Sequence, residues 1–361
     1  MPSERSEVSK SRDLDPQAGR IAPTLRRIRR LSAGLVHHRA PTWSADGRLL
    51  AFLHDEGDDA CWVICDRKGR VARVIAGPGT GRASFAPDGS LAYGRAVGAT
   101  SEIWLSPAWP PSRRPTASST GRRLLGADGR LYCDPAFSPD GRYLAYIADD
   151  GRPGTARRLW VLDLQTDEHR LLVAALPGPD TPSRLAHPAW SPQGDALYFE
   201  AQRPDGDALF FQRLPSPWGV APPAPQRLTA GGYRCPAPVM TGAVLCERWH
   251  DGGDSLLVLI VHGERPAPSS QALAEQPPRS IELRIAKQAK LQGGLREPAL
   301  GHGKRGLWLA FSAPSQRTKD EPARCDLFAA RLQGLPGRAR VPETHPGGAR
   351  TGSRPAGTET P

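Results

Sequence analysis

The chain has 361 residues and a formal net charge of +11, with 39% hydrophobic and 24% charged residues. Its 38 glycines and 38 prolines exclude a helix bundle, because both residue types are unfavourable inside helices. No apolar run approaches the roughly 20 residues needed to cross a bilayer, so no membrane insertion is expected.

Positive charge gathers at the two ends of the chain. Residues 1–40 hold +5 of the net charge and residues 334–361 another +2. Neither segment contains the aromatic side chains with which a single-strand nucleic-acid platform stacks bases. We therefore expect residues 1–21 to be a disordered basic arm and residues 334–361 a disordered Pro/Gly-rich tail, with no nucleic-acid partner.

A seven-residue pattern that recurs along the chain predicts its architecture. The first copy, residues 41–47, reads Pro-Thr-Trp-Ser-Ala-Asp-Gly, and further copies begin at residues 83, 135, 188, 236 and 298. The last two copies match least well. A repeat of roughly 40–60 residues is typical of the four-stranded blades of a β-propeller.

Each copy predicts four antiparallel strands. The first strand ends at the aromatic residue of the pattern, which we expect to pack against the neighbouring repeat, and Ser-Pro-Asp-Gly turn chemistry follows it. The remaining strands come next in chain order. Their predicted ranges are 49–52, 61–64 and 72–75, then 102–105 and 123–125, then 144–147, 159–162 and 170–173, and then 196–199, 209–211 and 226–229.

The sixth repeat lacks one strand. It supplies residues 307–311 and 326–332 but no fourth strand, while residues 28–34 resemble residues 225–231 in front of the fifth repeat. We therefore expect the N-terminal strand to complete the last blade and so remove the open sheet edges. The sequence predicts an all-β protein, a six-bladed β-propeller of four-stranded antiparallel sheets over residues 22–333.

The Pro-x-aromatic-Ser-Pro-Asp-Gly repeat with its trailing Arg-Leu-Thr strand resembles the TolB-type, WD-like propeller repeat. This resemblance implies a non-catalytic scaffold that binds a protein or peptide partner, and it gives a component of the Tol–Pal envelope system as an alternative. We expect a soluble monomer without a cofactor. No apolar signal-peptide stretch is seen, so the expected location is cytoplasmic, or periplasmic if the true start lies upstream.

The residues directly before each repeat are predicted to meet at the mouth of the central channel. They are Ala40, Arg82, Asp134, His187, Cys235 and Glu297. Of these, Arg82, Asp134, His187 and Glu297 form a mixed ring that could grip a peptide terminus or a hydrated ion. A self-neutralising ring that only solvates the channel is the alternative.

Acidic loops between the second and third strands form a second predicted partner-binding surface. The residues chosen for this surface are Asp58, Asp59, Asp149, Asp150, Asp205 and Asp207. Acids on one face attract basic partners, which gives the expectation of a basic protein or peptide. The alternative is that aspartates stand there only because they favour turns.

Catalytic motifs are missing from the sequence. It has no Gly-x-Ser-x-Gly, no His-Glu-x-x-His and no complete phosphate loop, so neither an enzyme nor a metal site is expected. One enzyme alternative stays open through a resemblance: some propeller lyases that act on acidic sugars are similar to this repeat, which implies a metal bound by channel histidines. Its candidate ligands are His37, His38, His54, His187 and His302.

The six cysteines form no Cys-x-x-Cys pair, which argues against a zinc ribbon or a thioredoxin-type site. We expect them to be small buried hydrophobes. Cys235 and Cys246 flank a predicted hairpin and could face each other.

Overall fold

The computed structural model describes residues 24–32, 37–56, 60–108, 121–149, 156–174, 184–214, 222–240, 242–249, 255–262, 279–282, 284–285, 296–303, 306–314 and 325–333. Every helix or strand assigned within these ranges is a β-strand. The two expected arms, residues 1–21 and 334–361, lie outside the described residues.

The first half of the chain forms β1, one four-stranded sheet and one eight-stranded sheet. Strand β1 covers Thr24–Arg30. The four-stranded antiparallel sheet contains β2 (His37–Trp43), β3 (Leu49–Asp55), β4 (Cys61–Asp66) and β5 (Val71–Ile75). The eight-stranded sheet contains β6 (Gly79–Phe85), β7 (Leu91–Val97), β8 (Thr100–Ser106), β9 (Arg122–Leu125), β10 (Leu131–Phe137), β11 (Tyr143–Asp149), β12 (Arg158–Asp163) and β13 (Glu168–Val173).

The second half forms two four-stranded antiparallel sheets and one five-stranded sheet. The four-stranded sheets are β14 (Leu185–Trp190), β15 (Ala196–Ala201), β16 (Ala208–Arg213) and β17 (Gln226–Arg227), and then β18 (Tyr233–Met240), β19 (Ala243–Trp249), β20 (Ser255–Val261) and β21 (Arg279–Glu282). The five-stranded sheet joins β1 to β22 (Arg284–Ile285), β23 (Arg296–Gly303), β24 (Gly306–Pro314) and β25 (Cys325–Gln333).

The two ends of the described chain meet in this last sheet. Strand β1 runs antiparallel to β25, with Arg29 opposite Ala329. The backbone N–H of Leu31 donates to the carbonyl oxygen of Leu327 at 2.8 Å. Leu25 is fully buried in the core that this sheet shares with its neighbour.

The cores lie between consecutive sheets, as the aromatic residue of each repeat predicts. Trp190 packs on side chains of β10 and β11, and its indole Nε1–H donates to the carbonyl oxygen of Ala136 at 2.9 Å. Trp43 packs on side chains of the last sheet, among them Ala310 and Leu327. Burial of one such aromatic side chain contributes about 3 kcal/mol. The fold is therefore all-β, with a propeller-like arrangement of sheets.

The turns after the first strands follow their predicted chemistry. In the first repeat, Gly47 donates its backbone N–H to the carbonyl oxygen of Ser44 and has φ = 60°. A Cβ atom there would lie 2.4 Å from the carbonyl oxygen of His302, so only glycine fits. The Asp46 carboxylate accepts hydrogen bonds from the Ser44 hydroxyl and the Arg48 backbone N–H.

Two predicted details need correction. The sequence of residues 77–81, Gly-Pro-Gly-Thr-Gly, predicts a loop between blades, yet β6 begins at Gly79, whose missing side chain lets Leu53 and Trp62 pack against it. Strand β17 has only two residues, fewer than the predicted 226–229. No helix in the described part of the chain is long and apolar enough to cross a membrane.

All six cysteines are free, so Cys235 and Cys246, which were predicted to flank a hairpin, do not form a disulfide. Five of them are buried, and Cys61 is half-buried. This distribution agrees with the expectation of small core residues, with one exception at Cys235, whose surroundings are polar.

Candidate functional site

A β-bulge interrupts the first strand of every repeat. The residue at each bulge has a left-handed backbone conformation, with φ between 50° and 63° at Ala40, Gly81, Asp134, His187, Cys235 and Glu297. In the second repeat Gly81 takes this conformation, and Arg82 follows it where the other five repeats have proline. A non-glycine residue in this conformation costs about 1–2 kcal/mol, so something must stabilise it.

Buried carboxylates stabilise these bulges by binding their backbone N–H groups. Asp134 accepts the N–H of Arg82 and the N–H of His187, both at 3.2 Å. Glu200 accepts the N–H of Cys235 at 3.1 Å. The remaining bonds run from Glu297 N–H to Glu247 at 3.2 Å and from Ala40 N–H to Glu297 at 2.8 Å.

These contacts bring together a group of residues that we call the bulge cluster. It consists of Arg82, Asp134, His187, Glu200, Cys235, Glu247 and Glu297. Hydrogen bonds to charged groups contribute about 1.5–3 kcal/mol each, enough to offset the backbone strain of the bulges. The sequence prediction that Arg82, Asp134, His187 and Glu297 approach one another agrees with this geometry, although their binding of a partner stays a prediction.

Arg82 carries hydrogen-bond donors that the protein does not use. Its Nε and Nη2 atoms are buried and have no hydrogen-bond partner among the described residues. Burial lowers the pKa of Arg82, but the charge of Cys235 and then those of the nearby carboxylates Glu297, Asp134 and Glu200 raise it above its usual value overall. Arg82 therefore stays charged and can donate to an acceptor brought by a ligand.

Glu247 is the second group with unused hydrogen-bonding capacity. Its side chain is buried, and its Oε1 atom has no hydrogen-bond partner among the described residues. Burial raises the pKa of this carboxyl above its usual value, and the neighbouring Glu297 charge adds to the effect. A buried carboxyl whose pKa is raised is suited to general acid–base chemistry near neutral pH.

His187, Glu200 and Cys235 form the most compact part of the cluster. The Nδ1 atom of His187 lies 2.9 Å from Glu200 Oε2 and 3.8 Å from Cys235 Sγ. Burial alone would lower the pKa of His187, but Cys235, Glu200 and Asp134 together raise it well above its usual value. Burial tends to raise the pKa of Glu200, but the His187 charge and hydrogen bond lower it.

A cavity of about 240 Å³ adjoins the bulge cluster. Its walls come from the proline-aromatic segments of all six repeats and from turn residues such as Pro87 and Pro139. Arg82 and Asp134 are its only charged lining residues in the part of the chain that the structure describes. A pocket that combines apolar walls with a few charged groups is a common form of ligand site.

The predicted acidic surface is largely paired or outside the described residues. Asp58, Asp59 and Asp150 fall outside them. Asp205 accepts from the Arg227 guanidinium at 2.5 Å, Asp207 is paired with Arg234, and Asp149 lies 3.9 Å from Arg157. These ion pairs reduce the charge that the described acids offer a basic partner, whose binding stays a prediction.

Of the five candidate metal-binding histidines, the structure places one in the bulge cluster, His187. His38 and His54 form a separate pair, with His38 Nε2 at 3.1 Å from His54 Nδ1, and His54 Nε2 lies 3.0 Å from Glu56. His37 and His302 are exposed. The predicted convergence of channel histidines on a single metal is therefore not seen among the described residues.

The buried His38 makes the protein sensitive to acid. His38 is only 5% exposed. Burial, followed by the charge of His54, lowers the pKa of His38 to about 4. An unfolded histidine titrates near 6.5, so the unfolded chain takes up a proton first as the pH falls. Between pH 6.5 and 4 this one group should reduce the free energy of unfolding by about 3 kcal/mol.

Urea unfolding at a series of pH values measures this effect. The His38→Gln variant should lose most of the slope between pH 6.5 and 4, whereas His37→Gln, a change at the exposed neighbouring position, should retain it. Equal slopes in the wild type and His38→Gln would contradict the assignment.

Glu200 and Glu247 are the cluster residues that the sequence reasoning missed. They lie on second strands, opposite Ala186 and Arg234, at the position that Leu53 and Ile147 occupy in other repeats. A glutamate at a position that is apolar in two of the other repeats was the available signal. Aligning the second strands by their register would have found both.

Comparison with known proteins relates this fold to enzymes as well as to TolB. No family model matches the sequence. Over 121 residues the chain is 31% identical to the "Uncharacterized peptidase YuxL" of Bacillus subtilis, a match that covers 31% of this chain and 16% of that protein. The chain thus spans a small part of the curated relative it matches.

Two solved structures share the β-propeller fold. TolB from Acinetobacter baumannii superposes with a TM-score of 0.52 at 18% identity, covering 74% of this chain and 58% of that one. A puromycin-hydrolyzing peptidase from Mycobacterium tuberculosis gives a TM-score of 0.51 at 14% identity, covering 81% of this chain and 51% of that one. The expected TolB-type resemblance is supported at the level of the β-propeller fold.

These comparisons correct the function expected from the sequence. A non-catalytic protein-binding scaffold, and with it the expectation that the chain is not an enzyme, is wrong because the curated relative that the chain matches over 121 residues is named a peptidase. The absence of serine-hydrolase and zinc-protease motifs led to that expectation, and such motifs do not cover every catalytic arrangement. The findings favour the enzyme alternative.

Proposed function

We propose that this chain is the β-propeller of a peptidase-type enzyme whose central cavity binds the carboxylate end of a peptide. The Nε and Nη2 atoms of Arg82, a cavity-lining residue, carry the proposal, because they have no hydrogen-bond partner among the described residues. The class of reaction follows the name of the curated relative, which is 31% identical over the matched region.

We infer six blades and a closed ring for this propeller. The eight-stranded sheet divides into two blades, because its halves are linked by a parallel bridge at Leu131 and Ser101. The pairing of β1 with β25 supports closure, as does the core in which Trp43 packs on the last sheet. In this arrangement the six first strands surround the cavity, which explains why all six repeats line it.

The lining of the cavity suits the carboxylate end of a peptide. The Nε and Nη2 donors of Arg82 have no partner among the described residues. A carboxylate can accept from both, and hydrogen bonds between a guanidinium and a carboxylate are stronger than those between neutral groups. Pro, Ala and aromatic residues of the walls suit a small apolar side chain next to that carboxylate. At about 30 Å³ for each water molecule, the volume admits the end of a chain and not a folded segment.

Glu247 is the candidate for proton transfer in this enzyme. Its carboxyl has a raised pKa and a free oxygen, and it belongs to the same cluster as Arg82. Hydrolysis of a peptide bond needs a group that takes a proton from water and returns one to the leaving amine. Glu247 can hold that proton at Oε1.

Calorimetric titration tests the carboxylate site. Short N-acetylated peptides that end in alanine or proline should bind the full chain about 10–100-fold more tightly as free acids than as C-terminal amides, because a charge-assisted pair contributes about 1.5–3 kcal/mol. The Arg82→Gln variant should bind both forms equally. Arg95→Gln serves as the matched control, since Arg95 lies over the Trp104 ring.

Equal affinity of the acid and amide forms for the wild type would contradict the proposal. An oligogalacturonide supplies the other carboxylate class, because its uronate groups offer Arg82 the same acceptor. Binding of the uronate but of no peptide acid would overturn the peptidase reading in favour of the acidic-carbohydrate alternative.

A further inference from the structure

We propose that His187, Glu200 and Cys235 form a binding site for one divalent transition-metal ion, with zinc as the preferred metal. The inference does not depend on peptide binding, because all three proposed metal ligands are side chains of this chain. It also differs from the histidine-based metal site expected from the sequence, because only one of the ligands is a histidine.

The ligand atoms already converge. The Nδ1 atom of His187, the Oε2 atom of Glu200 and the Sγ atom of Cys235 all lie within 4.8 Å of one another. Bonds of about 2.0–2.3 Å from each atom to a common ion are compatible with such separations after small side-chain adjustments. The three residues come from two sheets, so an ion would link β14 and β15 to β18.

The backbone holds two of the ligands in place. His187 and Cys235 both occupy bulge positions, with φ of 52° and 56°. Their N–H groups are bound by Asp134 and Glu200, which fixes the direction in which the side chains leave the backbone. Such fixed ligands reduce the ordering cost of metal binding, in the same way that supporting contacts orient the ligands of known metal sites.

The same geometry argues against a cysteine nucleophile. In a Cys–His–acid triad the thiol and the carboxylate bind opposite nitrogens of the imidazole. Here both Glu200 and Cys235 approach Nδ1 of His187, so the ring cannot take the thiol proton on one nitrogen while the carboxylate holds the other. Burial raises the pKa of Cys235, which further disfavours an activated thiolate without a metal.

Charge and ligand chemistry together favour a soft or borderline cation. The Cys235 thiolate and the Glu200 carboxylate would offset the two charges of a divalent ion, which would take the place of the proton on His187 Nδ1. A thiolate, an imidazole and a carboxylate suit zinc better than calcium or magnesium, which prefer all-oxygen sites. The side chain of His187 is 26% exposed, which gives the ion a way in.

Cobalt titration of the metal-stripped full chain tests the site. Co²⁺ should bind with one equivalent per chain and produce a sulfur-to-cobalt charge-transfer band, and an equimolar addition of Zn²⁺ should abolish that band. The Cys235→Ser variant should lose the band, while His187→Asn and Glu200→Gln should bind Zn²⁺ at least roughly tenfold more weakly. Cys65→Ser is the matched control, because Cys65 is buried in a core outside the cluster.

The wild type alone can overturn the proposal, whatever the folding of the variants. Co²⁺ uptake without a charge-transfer band, or no saturable uptake of either metal, would exclude the site. A band that persists in Cys235→Ser would show that another thiol binds the metal. The peptide titration with Arg82→Gln can succeed or fail in either case, so the two proposals are tested separately.

Discussion

Deleting residues 1–32 is expected to lower the free energy of unfolding by about 5 kcal/mol or more. The deletion removes β1, including the fully buried Leu25 and the half-buried Ile28, and side chains of this size contribute about 1.5–3 kcal/mol each when buried. It also breaks the ladder from β1 to β25 and exposes an unpaired strand edge, which favours aggregation. In thermal unfolding the loss corresponds to roughly 10–20 °C.

A shorter deletion provides the control. Removing residues 1–21 leaves β1 intact, since that strand begins at Thr24. Differential scanning calorimetry should find this chain as stable as the full one, with the large loss confined to the longer deletion. Equal melting temperatures for both truncated chains would contradict a closing role for β1 and with it the inferred ring.

The second large effect is expected for Asp134→Ala, at about 3–5 kcal/mol of unfolding free energy. The residue is 5% exposed, and its carboxylate accepts two backbone N–H groups from neighbouring repeats. Removing it leaves those two donors without a buried acceptor and takes one negative charge from beside the Arg82 guanidinium. Alanine also tolerates the φ of 51° less well than the native aspartate does.

Asp134→Asn separates charge from backbone conformation. Asparagine accepts left-handed φ values and keeps one acceptor oxygen, so this variant should lose only about 1–2 kcal/mol. Urea denaturation of the three chains at one pH measures both differences. A loss in Asp134→Ala no greater than in Asp134→Asn would show that the carboxylate does not hold the bulges together.

Much of the fold follows from local sequence. The Ser-Pro-Asp-Gly turns fix where first strands end, and in four repeats the aromatic residue ends the strand as expected, for example Trp43 in β2 and Phe137 in β10. Short continuous apolar runs, such as residues 144–147 and 196–199, then place the second and third strands. Strand β6 was missed at its start because Gly79 reads as a turn residue, while the structure uses it for close packing on Trp62.

The candidate site was only partly predictable, because it depends on contacts between repeats. Asp134 and His187 were predicted from their positions directly before a repeat, and both lie in the bulge cluster. Nothing local shows that Glu200 reaches the N–H of Cys235, since the two residues lie on different sheets. Sequence neighbours also do not show that the Nε and Nη2 atoms of Arg82 lack hydrogen-bond partners among the described residues, because this depends on the assembled cluster.

The enzyme assignment and the bulge cluster make a joint prediction about turnover. If the cluster is the reaction centre, Arg82 holds the substrate and Glu247 moves the proton, so Arg82→Gln should raise KM and Glu247→Gln should lower kcat. If either residue had only a structural role, its substitution would change stability without the separate effects on KM and kcat.

Mass spectrometry of a defined mixture of synthetic peptides, incubated with the full chain, tests the enzyme assignment most directly. We predict new fragments from peptides with a free C-terminal carboxylate, fewer fragments with Arg82→Gln and almost none with Glu247→Gln. Peptides that stay intact under conditions where the wild type binds them through Arg82 would contradict a peptidase.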